Sequence, residues 1–600
     1  MCLEVQELSP SMMSKEMLDM PHYSDEKNVQ ITLALLKAHG IKRIIANPGS
    51  SNFSFVGSVQ SDPDFIVYSG VDERHSAYMA CGMSAESGEP VILNCTGATS
   101  SRDYMPALTE AYYRKLPILV ITSSQVNSHL GQLWAQMTDR LHPPSDVVKL
   151  TVDCPVVKTE QDAEACSRFV NQAILELKRN GGGPVHINLQ ISHCTSFSAT
   201  TLPRVRKIDR VSAFQSEWPA LKPNAKILVW IGSHKSFSGA ESAALADFIA
   251  NHNAVVLCDH TSSYTGYGAV TSSIVCSQGI RNVPKYCGLN PDLIIHIGEI
   301  SGDAPTNGYL LGLAPVWRIS EDGEIRDRLG SLEYVFEMPE MVFFNRYKDE
   351  GKCSGTYAED WSEAVQGLRD SIPDLPFSNP WMAQRLCGLL PRNSCVHFAI
   401  LNSLRSWNYF DKDDSISSMC NVGGFGIDGC TSSLIGASLV NHDKLYYLVT
   451  GDLAFFYDLN ALGNRHIGSN VRILLVNNGA GGEFNMYNNA TSRFGERTND
   501  YIAAGGHFGD RSKTLVKHFA EDLGFMYLSA TDKTEFDEAI SVFTSAEKSK
   551  SIIFECFTSL QDESMALEIL NKLDSAAQMK AKYSKYVPSS IKRIAKKVLR

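Results

Sequence analysis

The chain has 600 residues, 44% of them hydrophobic, and a formal net charge of −11. That length suits three average domains with a core each, the acidic balance is a poor fit to a nucleic-acid-binding body, and no apolar run approaches the roughly 18 residues that would span a bilayer. Fifteen cysteines without a CxxC pair, some in apolar runs such as Cys95 and Cys258, suit reduced core thiols in a cytoplasm and no metal or redox role.

Residues 1–23 form a Met-rich, mildly acidic extension that lacks the basic start and apolar stretch of a signal peptide. From 24 to about 195, strand and helix patterns alternate. IKRIIANPGSSNFSF (41–55) reads as a strand ending in a Pro-Gly turn, and DFIVYSGVDERHSAYMACGMSAESG (64–88) as a strand running into a helix. Asp72 and Glu73 sit at that second junction, where acids favour a helix dipole. A carboxyl group there can also share a proton with a heterocyclic nitrogen in a dry cleft. GGGPVHINLQ (181–190) closes the block as a Gly-rich turn into a buried strand, and TSFSATTLPRVRK (195–207) reads as a linker. A second α/β block covers 205–370, with strands expected at 225–231, 254–258 and 292–297. WIGSHKSFSGAE offers Gly232 and Gly239 after a strand but no GxGxxG, so no flavin is expected. The linker SIPDLPFSNP (371–380) leads into a third block, 378–565.

The most specific signal is KLYYLVTGDLAFFYDLNALGNRHIGSNVRILLVNNGAGGEF, residues 444–484. Two β-rich runs, 445–450 and 471–476, flank a segment with helical spacing (Phe455, Leu459, Leu462). This is a βαβ unit with parallel neighbouring strands. Asp452 and the pair Asn477–Asn478 therefore stand at the carboxyl ends of adjacent strands, where open α/β sheets bind ligands. A hard divalent cation takes oxygen ligands in near-octahedral geometry and bridges to phosphate. Asp452, the Asn478 side-chain oxygen and the Ala480 carbonyl offer three ligands; a diphosphate and water complete the shell. Gly479, Gly481 and Gly482 let backbone approach the phosphate closely. A lone Gly-Asp would read as an ordinary helix-capping acid; the paired Asn on a second strand makes the motif specific.

This motif resembles the thiamin diphosphate (ThDP) binding motif of ThDP-dependent decarboxylases and synthases. Within that family the chain is similar to the menaquinone-pathway SEPHCHC synthases over residues 24 to about 570. The likeness is carried by NPGSS (47–51), the stretch from Asp72 to Ser124, GQLWAQ (131–136), NVGGFGIDG (421–429) and IFECFTSLQDESMALEIL (553–570). The resemblance implies an α/β fold of three doubly wound parallel-sheet domains: a pyrimidine-binding domain at 24–195, a central domain at 205–370 and a diphosphate-binding domain at 378–565. It implies that Glu73 bonds the N1′ of the aminopyrimidine ring and that Gln136 is the active-site member of a glutamine pair. Ile427 would be the apolar wedge that bends the cofactor. Gly451, Asp452, Asn478, Ala480 and Gly481 would hold the diphosphate and Mg²⁺. Such sites lie between the first domain of one subunit and the third of another, which implies a homodimer or a tetramer.

Departures from the family pattern concern the substrate. Ser51 replaces the arginine of PGSR, Val422 replaces a second arginine, and Glu483 stands where the family has an apolar residue. Guanidinium groups suit bidentate carboxylate recognition, and neither serine nor valine can substitute. Arg405 is a candidate for a substrate carboxylate; Ser50, Ser51, Phe425, Glu483 and Phe484, with Asn485, are candidate pocket residues. His75 and Arg102 lie near the cleft in sequence. The expected activity is decarboxylation of a 2-oxo acid followed by addition to an acceptor carbonyl or alkene, in a surface-polysaccharide or secondary-metabolite pathway. A simple decarboxylase, SEPHCHC synthase itself and a catalytically idle scaffold subunit are the alternatives. From 575 to 600 the chain holds eight Lys or Arg and no acid. That tail suits peripheral contact with an anionic membrane or packing on an acidic neighbouring subunit.

Overall fold

Runs such as Ile118–Ser124 (ILVITSS) and Val471–Asn477 (VRILLVN) are buried along their whole length, as strands covered on both faces of a parallel sheet must be. The computed structural model describes residues 21–574, apart from 351 and 354. The extension up to residue 20 and the basic tail from 575 lie outside the described residues. The described residues divide into two compact units, one up to Arg210 with Ile325–Val335, and the other Val211–Glu324 with the residues from Phe336 onward. Three sheets run through it.

The first sheet comprises β1 (Arg43–Ala46), β2 (Ile66–Ser69), β3 (Val91–Thr96), β4 (Ile118–Ser124), β5 (Thr151–Cys154) and β6 (Val185–Gln190). Their order is β2-β1-β3-β4-β6-β5, every pairing parallel. Alternate residues feed two cores. Ile44, Ile92 and Leu119 pack with Leu33 and Val170 from the helices Lys27–Ala38 and Glu160–Glu176. Ile45, Leu93 and Val120 pack with Ala77 and Ala107 from the helices Glu73–Ser87 and Met105–Arg114. The strand period of two thus makes the unit doubly wound. Residues 325–335, inside the stretch expected as central domain, pack with this unit through an Arg206–Asp327 ion pair at 2.6 Å.

The chain crosses between units at β7 (Asp209–Ser212) and β13 (Leu332–Glu337). Within the second unit, β8 (Ile227–Ile231), β9 (Ala254–Cys258), β10 (Ala269–Thr271), β11 (Leu293–Ile297) and β12 (Val316–Ser320) run parallel in the order β10-β9-β8-β11-β12. The third sheet holds β14 (Cys395–Phe398), β15 (Ser417–Cys420), β16 (Tyr446–Gly451), β17 (Val471–Asn477), β18 (Met526–Ala530) and β19 (Ile552–Phe557). Its order, β15-β14-β16-β17-β19-β18, again all parallel, repeats that of the first sheet strand for strand. The amino-acid sequence shows no repeat; the topology does.

Candidate active site

On the third sheet, β16 and β17 are neighbours in register, Gly451 opposite Val476, so Asp452 and Asn478 emerge from adjacent strand ends as their spacing requires. Asp452 opens the helix Asp452–Tyr457. Its Oδ1 accepts the Leu453 N–H and its Oδ2 the Gly479 N–H, both at 2.8 Å, which ties the two loops together. The carboxyl is 5% exposed, and no cationic side chain pairs with it among the described residues. Burial, then the charge of Asp510, pushes it up to about 7. Gly479 holds φ +83°, where a Cβ would stand 2.9 Å from Asp510 Oδ1, so the loop depends on a glycine there. Asn477 turns inward, donating from Nδ2 to Glu555 Oε1 at 2.7 Å. Asn478 faces the loop, and its Oδ1 accepts the Ala480 N–H at 3.4 Å.

The walls beside this loop come from three segments. Phe425, in a left-handed conformation (φ +56°), is 44% exposed. Ile427 packs its side chain partly on the core under β16. Glu483 and Phe484 lie in the turn Gly482–Asn485, and Phe484 O accepts the Thr491 hydroxyl at 2.7 Å. Arg405, a candidate for a substrate carboxylate, donates to Glu483 at 2.9 and 3.4 Å and to Asn402 Oδ1 at 3.0 Å. Val422 is 4% exposed and lies in the apolar neighbourhood of Leu404, Ile400 and Gly302. A Cβ at Gly302 would be 2.5 Å from Leu404 and 3.5 Å from Val422. Position 422 is therefore part of a close-packed core.

In the first unit, Glu73 is the first residue of its helix and half-buried, with Asp72 capping the turn by accepting the His75 N–H at 2.8 Å. Glu73 thus follows the carboxyl end of β2, and burial and, next, its charge push the thiol of Cys95, near the end of β3, well up. The loop 47–52 is pinned by amides that sequence reasoning did not single out. Asn52 Nδ2 donates to Asn47 O and Asn94 Oδ1, both at 2.9 Å, and Ser76 Oγ to Asn47 Oδ1 at 2.6 Å. Ser51 is buried in this loop and Ser50 exposed. The signal was an asparagine just after β1 and another inside the apolar run of β3, in IIANPG and ILNCTG. Gln136 (φ +62°) is exposed in the loop that carries the His129–Trp134 stack. Arg102 donates to the carbonyl of Asp139.

Residues 27–142 match the family model described as thiamine pyrophosphate enzyme, N-terminal TPP binding domain. Over 559 residues, 91% of this chain and 98% of the relative, the chain is 32% identical to the 2-succinyl-5-enolpyruvyl-6-hydroxy-3-cyclohexene-1-carboxylate synthase of Phocaeicola vulgatus. It is 30% identical over 567 residues to the synthase of that name from Bacteroides fragilis, again 91% of this chain and 98% of the relative. Against that of Flavobacterium psychrophilum it is 26% identical over 550 residues, 88% and 95%. The chain belongs to this thiamine diphosphate enzyme family.

In such an enzyme ThDP, when bound, supplies the carbanion and the electron sink for decarboxylation. The residues present fit it. A buried carboxylate without a cationic partner, an amide oxygen and a glycine-rich turn meet at one strand-end crevice, the donor set of a hard cation bridged to diphosphate. Asp452, Asn478 and the backbone at Ala480 would hold the cation, Gly451 and Gly481 would admit the diphosphate, and Glu73 would hold a proton at a ring nitrogen.

Proposed function

We propose that this enzyme is a Mg²⁺- and ThDP-dependent synthase that decarboxylates a 2-oxo acid and forms a carbon–carbon bond. Its best-supported specific reaction is the one its relatives are named for. The observation that carries this is the pairing of Asp452 with the Gly479 N–H across the ends of β16 and β17, in a chain that covers 98% of a named synthase. A second reading, a carboligase for a smaller 2-oxo acid with a different acceptor, rests on position 422. There a buried valine stands, and Arg405 is already paired. Incubation with 2-oxoglutarate and isochorismate, following isochorismate absorbance, separates them. Consumption on the order of 1 s⁻¹ or faster supports the first; absent consumption alongside CO₂ release from pyruvate supports the second. No CO₂ from any 2-oxo acid in a panel would overturn both.

Flavin is not part of this reading. At the β8–β11 strand ends, where a dinucleotide would sit, a Cβ on Gly232 would stand 1.9 Å from the Glu299 carbonyl oxygen, and Glu299 N–H donates to Ser233 O at 2.8 Å. Backbone from the two strand ends thus meets at Gly232 and Glu299, which supports a reading without flavin. A homo-oligomer, with Glu73 and Asp452 serving one cofactor from different copies, is supported by an apolar edge. All four residues of β2 are exposed, with Val71 and Tyr78 nearby at 82% and 47%. No described helix is long and apolar enough to cross a membrane.

A further inference from the structure

Arg405 and Glu483 form an ion pair beside the turn that follows β17. The guanidinium offers Nη1 to Glu483 Oε2 at 2.9 Å and Nη2 to Oε1 at 3.4 Å, and its Nη1 also reaches Asn402 Oδ1 at 3.0 Å. The side chains are 19% and 23% exposed, so the pair is neither sealed in the core nor spread on the surface. It stands against the loop that follows β17. Glu483 lies five residues beyond Asn478, in the turn Gly482–Asn485. A Cβ at Gly482 would be 3.0 Å from Asn478 Nδ2 and 3.5 Å from Asn402 Nδ2. The segment that delivers Asn402 and Arg405 is strained: Leu401, just before the helix Asn402–Trp407, holds φ +69° and ψ −119°. A leucine in that region is strained, and such outliers concentrate where function needs a placement.

We infer that Glu483 is a resident stand-in for a substrate carboxylate on Arg405, so that Arg405 accepts an anionic substrate group only in exchange for Glu483. The guanidinium fork fits any carboxylate in this bidentate manner, and Glu483 already fills it. Two carboxylates on one guanidinium repel each other at contact distance. The pocket therefore discriminates against a second carboxylate to the extent that Glu483 holds its place. This deepens the proposed function and rests on its placement of the substrate beside the diphosphate loop, but its test needs no turnover.

The test is calorimetric titration of the ThDP- and Mg²⁺-loaded protein with glutarate and with butyrate, two unreactive probes that differ by one carboxylate. Glu483→Gln keeps the shape and removes the competing charge. It should bind glutarate about tenfold more tightly than the unaltered protein, a change of about 1.4 kcal/mol, with butyrate shifted less than about twofold. The gain should vanish when Arg405→Gln is added. Glu483→Asp, which shortens the reach to the fork, gives a second and smaller gain should the glutamine variant fold poorly. Equal shifts for both probes, no shift, or a gain that survives loss of Arg405 overturns the inference. Absent CO₂ release with these binding shifts intact would overturn the proposed reaction and leave this inference standing.

Discussion

Glu73 stands half-buried at the first turn of its helix, its charge felt by the thiol of Cys95. Glutamine there would keep the shape and lose the proton. Glu73→Gln is expected to lower decarboxylation by at least ~100-fold, the usual worth of a positioned acid or base. ThDP affinity should stay within about tenfold; near-normal turnover would refute the role. A second carboxylate governs stability instead. Asp303 is buried where it caps a helix, accepting the Thr306 hydroxyl at 2.6 Å. Burial, then the charge of Asp259, raises it to about 6 from 3.8. Its folded value lies above its unfolded one, so its favourable contribution is complete below about pH 4 and is lost as pH rises through about 6. Two pH units correspond to roughly 3 kcal/mol. Urea unfolding from pH 4 to 7 should show Asp303→Asn gaining on the unaltered protein as pH rises; parallel curves would count against the assignment.

The strand-end loops are where glycine and aspartate earn their positions. A Cβ at Gly49 would meet Thr96 Cγ2 at 2.2 Å and Asn52 Oδ1 at 2.9 Å, inside the amide network that pins residues 47–52. Gly49→Ala should therefore cost about 1–3 kcal/mol, read as a lower thermal midpoint. At the turn after β16 in the third sheet, Asp452→Ala removes the acceptor for Gly479 and the carboxylate of the proposed cation site. ThDP affinity in the presence of Mg²⁺ should fall by at least ~100-fold; unchanged calorimetric affinity would exclude this site. Both turns are legible in the sequence, since Pro-Gly and Gly-Asp follow apolar runs. The bonds that hold them are not. Asn47, Asn52 and Asn94 lie up to 47 positions apart, and sequence spacing says nothing about which amides converge.

Two sheets with one strand order, β2-β1-β3-β4-β6-β5 and β15-β14-β16-β17-β19-β18, place Glu73 and Asp452 over the carboxyl ends of equivalent folds. If each cofactor draws on two copies of the chain, inactive Glu73→Gln and Asp452→Ala proteins should complement each other on mixing after dissociation. Random pairing makes about half the dimers mixed, each with one intact site, for about a quarter of full activity. No recovery would mean that both residues act from one chain.

The α/β class, the strand runs and the glycine-rich turn after β17 were all readable from 600 letters, because burial on both faces and strand-end turn chemistry are local demands on residue type. What Arg405 does was not readable. Its partner lies 78 positions away, and a guanidinium looks identical whether it is free or occupied. The close approach of Gly232 to Glu299, the core position of Val422 and the repeated topology likewise depend on contacts between distant segments. Those contacts exist only once the chain has packed.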